Sequence, residues 1–107
     1  SGDFTLSLTG FDTEIGKPFE ARVIDTISGR TICIYRLGEI TAAIFSVTIR
    51  DIINASTYQV DLYVDENSNV RYDAAPVDHS WRVTQGGSNA GLNVTFAHTD
   101  TYTNIGL

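Results

Sequence analysis

Thr57-Tyr58-Gln59-Val60-Asp61-Leu62-Tyr63-Val64 runs without a break into Asp65-Glu66-Asn67-Ser68-Asn69-Val70-Arg71-Tyr72-Asp73. The first half alternates, with Tyr58, Val60, Leu62 and Val64 on one parity and Gln59, Asp61 and Tyr63 on the other. Successive side chains of a strand point to opposite faces, so this stretch predicts a half-buried β-strand. The second half loses the apolar period and is rich in Asp, Asn and Ser, residues suited to loops. A strand therefore delivers the chain into a polar loop.

The same alternation recurs on both sides of this stretch. Phe4, Leu6 and Leu8 alternate with Thr5 and Ser7, and Phe19, Ala21 and Val23 with Glu20 and Arg22. Phe45, Val47 and Ile49 alternate with Ser46 and Thr48, and Leu92, Val94 and Phe96 with Asn93 and Thr95. Turn signals separate the runs at Gly16-Lys17-Pro18, Ser28-Gly29, Gly38, Asn54-Ala55-Ser56 and Gly86-Gly87-Ser88-Asn89. Ser28-Gly29 predicts a hairpin from about Glu20–Ile27 into Arg30–Arg36. Asp51-Ile52-Ile53 has room for a single helical turn at most, and no longer helical pattern stands out. The expected fold is all-β, an antiparallel Greek-key-like β-sandwich of about seven strands. The whole span 1–107 reads as one domain.

Composition narrows the function. Thirteen acidic against seven basic residues give a net charge of −6, which disfavours nucleic acid and anionic membranes and suits divalent cations. No apolar run reaches the roughly 20 residues needed to span a bilayer, so membrane insertion is not expected. No basic region followed by an apolar stretch opens the chain, so no signal peptide is read in it, and Ser1-Gly2 reads as a processing or tag remnant. Cys33 is the sole cysteine. Between Ile32 and Ile34 it reads as a small buried apolar residue.

The loop carries the chemistry. Asp65, Asn67, Asn69 and Asp73 place side-chain oxygens at alternate positions, and the backbone carbonyl of Arg71 fills the gap. That is the rhythm by which positions 1, 3, 5, 7 and 9 of a calcium loop converge on one cation. Asp78 follows the turn Ala74-Ala75-Pro76-Val77 and is the further carboxylate of the 65–78 loop. The expected cofactor is Ca2+. The loop is not an EF-hand: Val70 stands where glycine makes the sharp turn, and Pro76 where a bidentate glutamate sits. Asn69 is a residue type able to take a left-handed conformation. The competing reading is an ordinary polar Asp/Asn turn.

The run from Thr57 through Asn69 resembles the strand-plus-loop signature of transthyretin-like and carboxypeptidase-regulatory-like domains in prokaryotic surface proteins. The resemblance covers about a third of the chain. It implies an exported β-sandwich module of a larger assembly, with Asp65, Asn67, Asn69 and Asp73 as side-chain ligands. Val70 departs from the pattern.

Other residues carry weaker readings. His79, Trp81 and Val83 share one strand face, so Trp81 reads as a core plug with His79 hydrogen-bonded beside it. The alternatives are a ligand platform and a second metal site joining His79 to His98. A blue-copper site is not expected, because the chain has no methionine. No nucleophile elbow, papain-type cysteine or phosphate loop is present in the sequence, so catalysis is not expected. Asn54-Ala55-Ser56 and Asn93-Val94-Thr95 match the glycosylation acceptor pattern.

Two function classes follow. The first is a calcium-stabilised structural or interaction domain outside the cytoplasm, with protein partners that include other copies of itself. Phe4–Leu8 is the candidate docking strand in that reading, and an ordinary paired first strand is the alternative. The second is a carbohydrate-binding module that stacks sugars on Tyr35, Tyr63, Tyr72 and Trp81. His98–Leu107 reads as an edge strand or a tail.

Overall fold

Alternating apolar residues build seven strands in a computed structural model that describes residues 1–106. They are β1 (Gly2–Thr9), β2 (Phe19–Asp25), β3 (Arg30–Leu37), β4 (Phe45–Ile53), β5 (Ser56–Val64), β6 (His79–Gly87) and β7 (Gly91–Ala97). One sheet has the order β4-β1-β7 and the other β3-β2-β5-β6. The chain crosses between sheets after β1, β3, β4 and β6. The all-β sandwich expected from the alternation is therefore what forms.

The inward parities are those read from the sequence. Phe4, Leu6 and Leu8 of β1 face Leu92 and Val94 of β7 along the same register, and Val47 of β4 lies opposite Leu6. From the other sheet come Phe19, Ala21 and Val23 of β2, Tyr58, Val60, Leu62 and Val64 of β5, and Trp81 of β6. All of these are buried in one continuous core. Burying a side chain of this size is worth about 1.5–3 kcal/mol, so the two interlocked inner faces are the main stabilising term.

Three details differ from expectation. First, the sandwich is not wholly antiparallel: β1 and β7 run parallel, from Asp3 opposite Gly91 to Thr9 opposite Ala97. Their start requires glycine on both strands. A Cβ on Gly2 would strike the Gly91 backbone, and one on Gly91 (φ 130°) would lie 2.7 Å from the Asp3 carbonyl. Second, Asp51-Ile52-Ile53 forms no turn and instead finishes β4. Asp51 sits at φ 59° there, with its N–H donated to Asp3 Oδ1 at 3.1 Å. Third, the β2–β3 hairpin closes through four residues, Thr26–Gly29, rather than a two-residue turn. Asp25 Oδ1 accepts the N–H groups of Ile27 and Ser28.

β1 lies in the middle of its sheet, so both of its edges are paired and Phe4–Leu8 is not a free docking strand. The outer strand β6 is covered by the C-terminal segment. Thr103 donates its N–H to the Ser80 carbonyl at 2.8 Å, and Arg82 reaches the Ile105 carbonyl at 3.2 Å. Tyr72 Oη donates to Asn104 Oδ1 at 2.7 Å and accepts from the Ile105 N–H. The stretch 98–106 is thus a strap over the edge, and Leu107 lies outside the described residues. No helix is long and apolar enough to cross a membrane among the described residues.

Candidate metal-binding sites

The loop predicted from the sequence leaves β5 at Asp65 and returns to β6 at His79. Asp65 and Asp78 are buried, 2% and 0% exposed. Each carboxylate ties down loop backbone. Asp65 accepts the N–H groups of Asn69 and Val70, at 3.3 and 2.8 Å. Asp78 accepts those of Glu66 and Asp73, at 2.8 and 2.7 Å. Asp73 Oδ2 accepts from Asn69 Nδ2 at 2.9 Å and from Asn67 Nδ2 at 3.2 Å. These amides, Asn69 first, hold the Asp73 carboxyl below the usual range. Arg71 donates its N–H to Asn69 Oδ1. The left-handed residues are Ser68 (φ 54°) and Val70 (φ 64°), not Asn69.

Val70 is 93% exposed, so no packing compensates for a β-branched residue in the left-handed region. Val70→Gly removes that strain of about 1–2 kcal/mol and loses part of it to backbone entropy. The expected result is a melting temperature a few degrees higher, measured by calorimetry. An unchanged or lower value would count against strain at this position.

A second cluster forms at the end of the sandwich. Its residues come from three places. The 3-10 turn Phe11–Glu14 follows β1. Side chains three apart eclipse in such a turn, so burial of Phe11 carries Glu14 inward, and both are 0% exposed. His79 opens β6 on the parity of Trp81. His98 continues the inward parity of Leu92, Val94 and Phe96 just past β7, and its N–H is fixed on the Thr9 carbonyl at 2.9 Å.

The three side chains converge. Glu14 Oε2 lies 2.6 Å from His79 Nδ1 and 3.3 Å from His98 Nε2. Their ligand atoms all fall within 4.8 Å of one another, the one such group of three among the described His, Cys, Asp and Glu residues. The other oxygens of the carboxylates face a cation: Lys17 Nζ bonds Glu14 Oε1 at 3.1 Å and also Glu66 Oε1. Burial alone would raise the Glu14 carboxyl, but its contacts with His79 and Lys17 outweigh it and hold the group low. Glu66 moves the other way, raised by burial and by the neighbouring Glu14. Aromatic rings wall the cluster. His98 meets Phe11 and Trp81 edge-on with centroids at 5.2 Å, and Tyr102 stacks on His79 at 4.1 Å. Two imidazoles and a carboxylate are a donor set for a borderline divalent metal rather than for calcium, which takes oxygen.

Trp81 is the core plug the sequence led us to expect, 3% exposed with its indole N–H donated to the Thr99 carbonyl at 3.2 Å. Tyr63 is 8% exposed. Neither can stack on a sugar, which removes two of the four residues named for a carbohydrate face. Cys33 is half-buried, and burial pushes its thiol up, away from the reactive thiolate. No family model, curated protein sequence or solved structure matches this chain.

Proposed function

We propose that the chain is a calcium-stabilised structural or interaction module of an exported or cell-surface protein, with no catalytic role of its own. The observation that carries this reading is the packing of the 65–78 loop. Asp73 is held directly against the amides of Asn67 and Asn69, which stand at alternate positions between Asp65 and Asp73. Turning those two amides by half a rotation would bring their oxygens toward the Asp73 carboxylate to line a pocket with oxygen, at the cost of the Arg71 N–H bond to Asn69 Oδ1. The carboxylates of Asp65 and Asp78 each keep lone pairs free after accepting two N–H groups. In this reading the Arg71 carbonyl is a further ligand, and the loop draws in around the ion, because Asp65, Asp73 and Asp78 are not among the groups whose ligand atoms already lie within 4.8 Å of one another. The resemblance to transthyretin-like surface domains supports an extracellular setting, as does the acidic surface. Partner proteins, including further copies of this chain, would pair with β3, β4 or β7, the outer strands that the 98–106 strap leaves uncovered.

Calcium bound to the folded form alone stabilises it by mass action, about 2.7 kcal/mol at 100 times the dissociation constant. For a chain of this size that is a rise in melting temperature of about 10 °C or more. Asp73 is half-buried, and its carboxylate accepts only side-chain amides, so Asp73→Ala should cost the chelated protein little and erase the calcium increment. Calorimetric titration and melting with and without calcium provide the test. A calcium increment that survives in Asp73→Ala would sink this assignment.

A further inference from the structure

We propose that Glu14, His79 and His98 form a binding site for a borderline divalent metal of the zinc class, using none of the oxygens assigned above to calcium. Zinc holds imidazole nitrogen at about 2.0–2.1 Å and carboxylate oxygen at about 2.0–2.2 Å in a tetrahedron. That geometry puts neighbouring ligand atoms about 3.4 Å apart. His98 Nε2 already stands 3.3 Å from Glu14 Oε2, and His79 Nδ1 at 2.6 Å is closer by the length of one shared hydrogen. A metal ion replaces that hydrogen, which leaves Nδ1, and the His79 ring retreats by less than about 1 Å to make room.

A fourth group stands beside the three. Glu66 Oε2 is buried, has no hydrogen-bond partner, and lies 3.2 Å from His79 Nδ1 without the alignment of a hydrogen bond. A carboxylate oxygen left unpaired in a buried position is costly. Moving Glu66 onto the metal would give that oxygen a partner and supply a fourth ligand, although it stands outside the group of three already within 4.8 Å of one another. Lys17 occupies the Oε1 atoms of both glutamates, so it orients the Oε2 atoms toward the imidazoles. With Lys17 retained, the two carboxylates and a divalent ion leave the site at a net charge of only +1. The three core ligands come from the turn after β1, the start of β6 and the end of β7, and Glu66 from the loop between β5 and β6. A metal there would tie both sheets together at one end of the sandwich.

The test uses the full chain, stripped with chelator. Zinc chloride is titrated by calorimetry, and copper(II) is titrated while Trp81 emission is followed. Trp81 is the sole tryptophan, 5.2 Å from the His98 ring, so bound copper should quench it and zinc should compete. The expected result is one zinc per chain, undisturbed by excess calcium and retained in Asp73→Ala. His79→Gln and His98→Gln should each weaken zinc by more than the about 10–100-fold that loss of a supporting group costs. The chain has two histidines, so proton NMR of the unmodified protein supplies a variant-free readout: zinc must move both imidazole signals. Absence of zinc binding, unmoved imidazole signals, or zinc binding lost in Asp73→Ala would each overturn the proposal.

Discussion

Phe11→Ala is expected to destabilise the fold by about 3–5 kcal/mol, the range for removing a large aromatic side chain from a packed core. On a domain of this size that is a fall of about 15–30 °C in melting temperature. Phe11 is fully buried, and its ring meets Phe19, Phe45, Trp81, Phe96 and His98 with centroids between 5.2 and 6.2 Å. These neighbours come from β2, β4, β6 and β7, so one ring joins both sheets. They cannot collapse into the space together, because each is held by its own strand. The ring also holds the 3-10 turn in place, and its loss frees Glu14 three residues on. Thermal melting measures the first effect. A red shift of Trp81 emission measures the second, since the indole then meets water at the opened end. A loss below about 1 kcal/mol would mean that the cavity closes and that the ring is no link between the sheets. Phe11→Leu fills much of the volume and should cost far less.

The sheets were legible in the sequence because strands such as β1 and β7 have one dry face, and a period of two then assigns each residue to a side. β3, with no fully buried residue, and β5, buried on both faces from Val60 on, show the period less cleanly. Phe4, Val60, Trp81 and Val94 all lie where that parity puts them. The direction of β7 was not legible. Alternation is the same in parallel and antiparallel strands, and the choice is made by tertiary connection and by the glycine contact at Gly2 and Gly91. The end-of-sandwich cluster was half legible. In the sequence His79 and His98 were joined only as an alternative metal pair, and the structure shows both on inward parity. Glu14 was missed because it sits outside any strand, where no period applies. Its signal was local: Phe11 and Glu14 are three apart just after Gly10, the spacing at which a 3-10 turn aligns two side chains.

The loop presents the opposite case. Its ligand rhythm was visible, but the rhythm alone does not say which atoms the oxygens face. Asp65 and Asp78 turn toward backbone N–H groups, a use of Asp common in turns of any kind. Asp73 faces the side chains of Asn67 and Asn69. The distinction separates residues that hold the loop from residues that a cation would reorganise, and it makes Asp73, rather than Asp65, the informative position to change.

Arg82→Ala is the second substitution with a large expected effect, a loss of about 2–4 kcal/mol. Asp61 and Arg82 stand directly opposite on β5 and β6. Arg82 Nε donates to Asp61 Oδ1 at 2.8 Å and its terminal nitrogen to Oδ2 at 3.2 Å, a two-pronged contact. The pair lies on the outer face of its sheet, yet Asp61 is only 2% exposed. Removing Arg82 strands a buried carboxylate with only the Gln59 amide, at 3.2 Å. Breaking a buried pair costs about 3–5 kcal/mol. Arg82 itself is about a third exposed, so water entering its place recovers part of that, which sets the lower range. The same guanidinium holds the Ile105 carbonyl, so the strap should loosen as well. Hydrogen exchange at Thr103 and Ile105 would rise before the sheets open. The control is Asp61→Asn in the Arg82→Ala background, which removes the stranded charge and should restore a large part of the stability. If the double variant melts no higher than Arg82→Ala, the loss comes from the strap rather than from the buried charge.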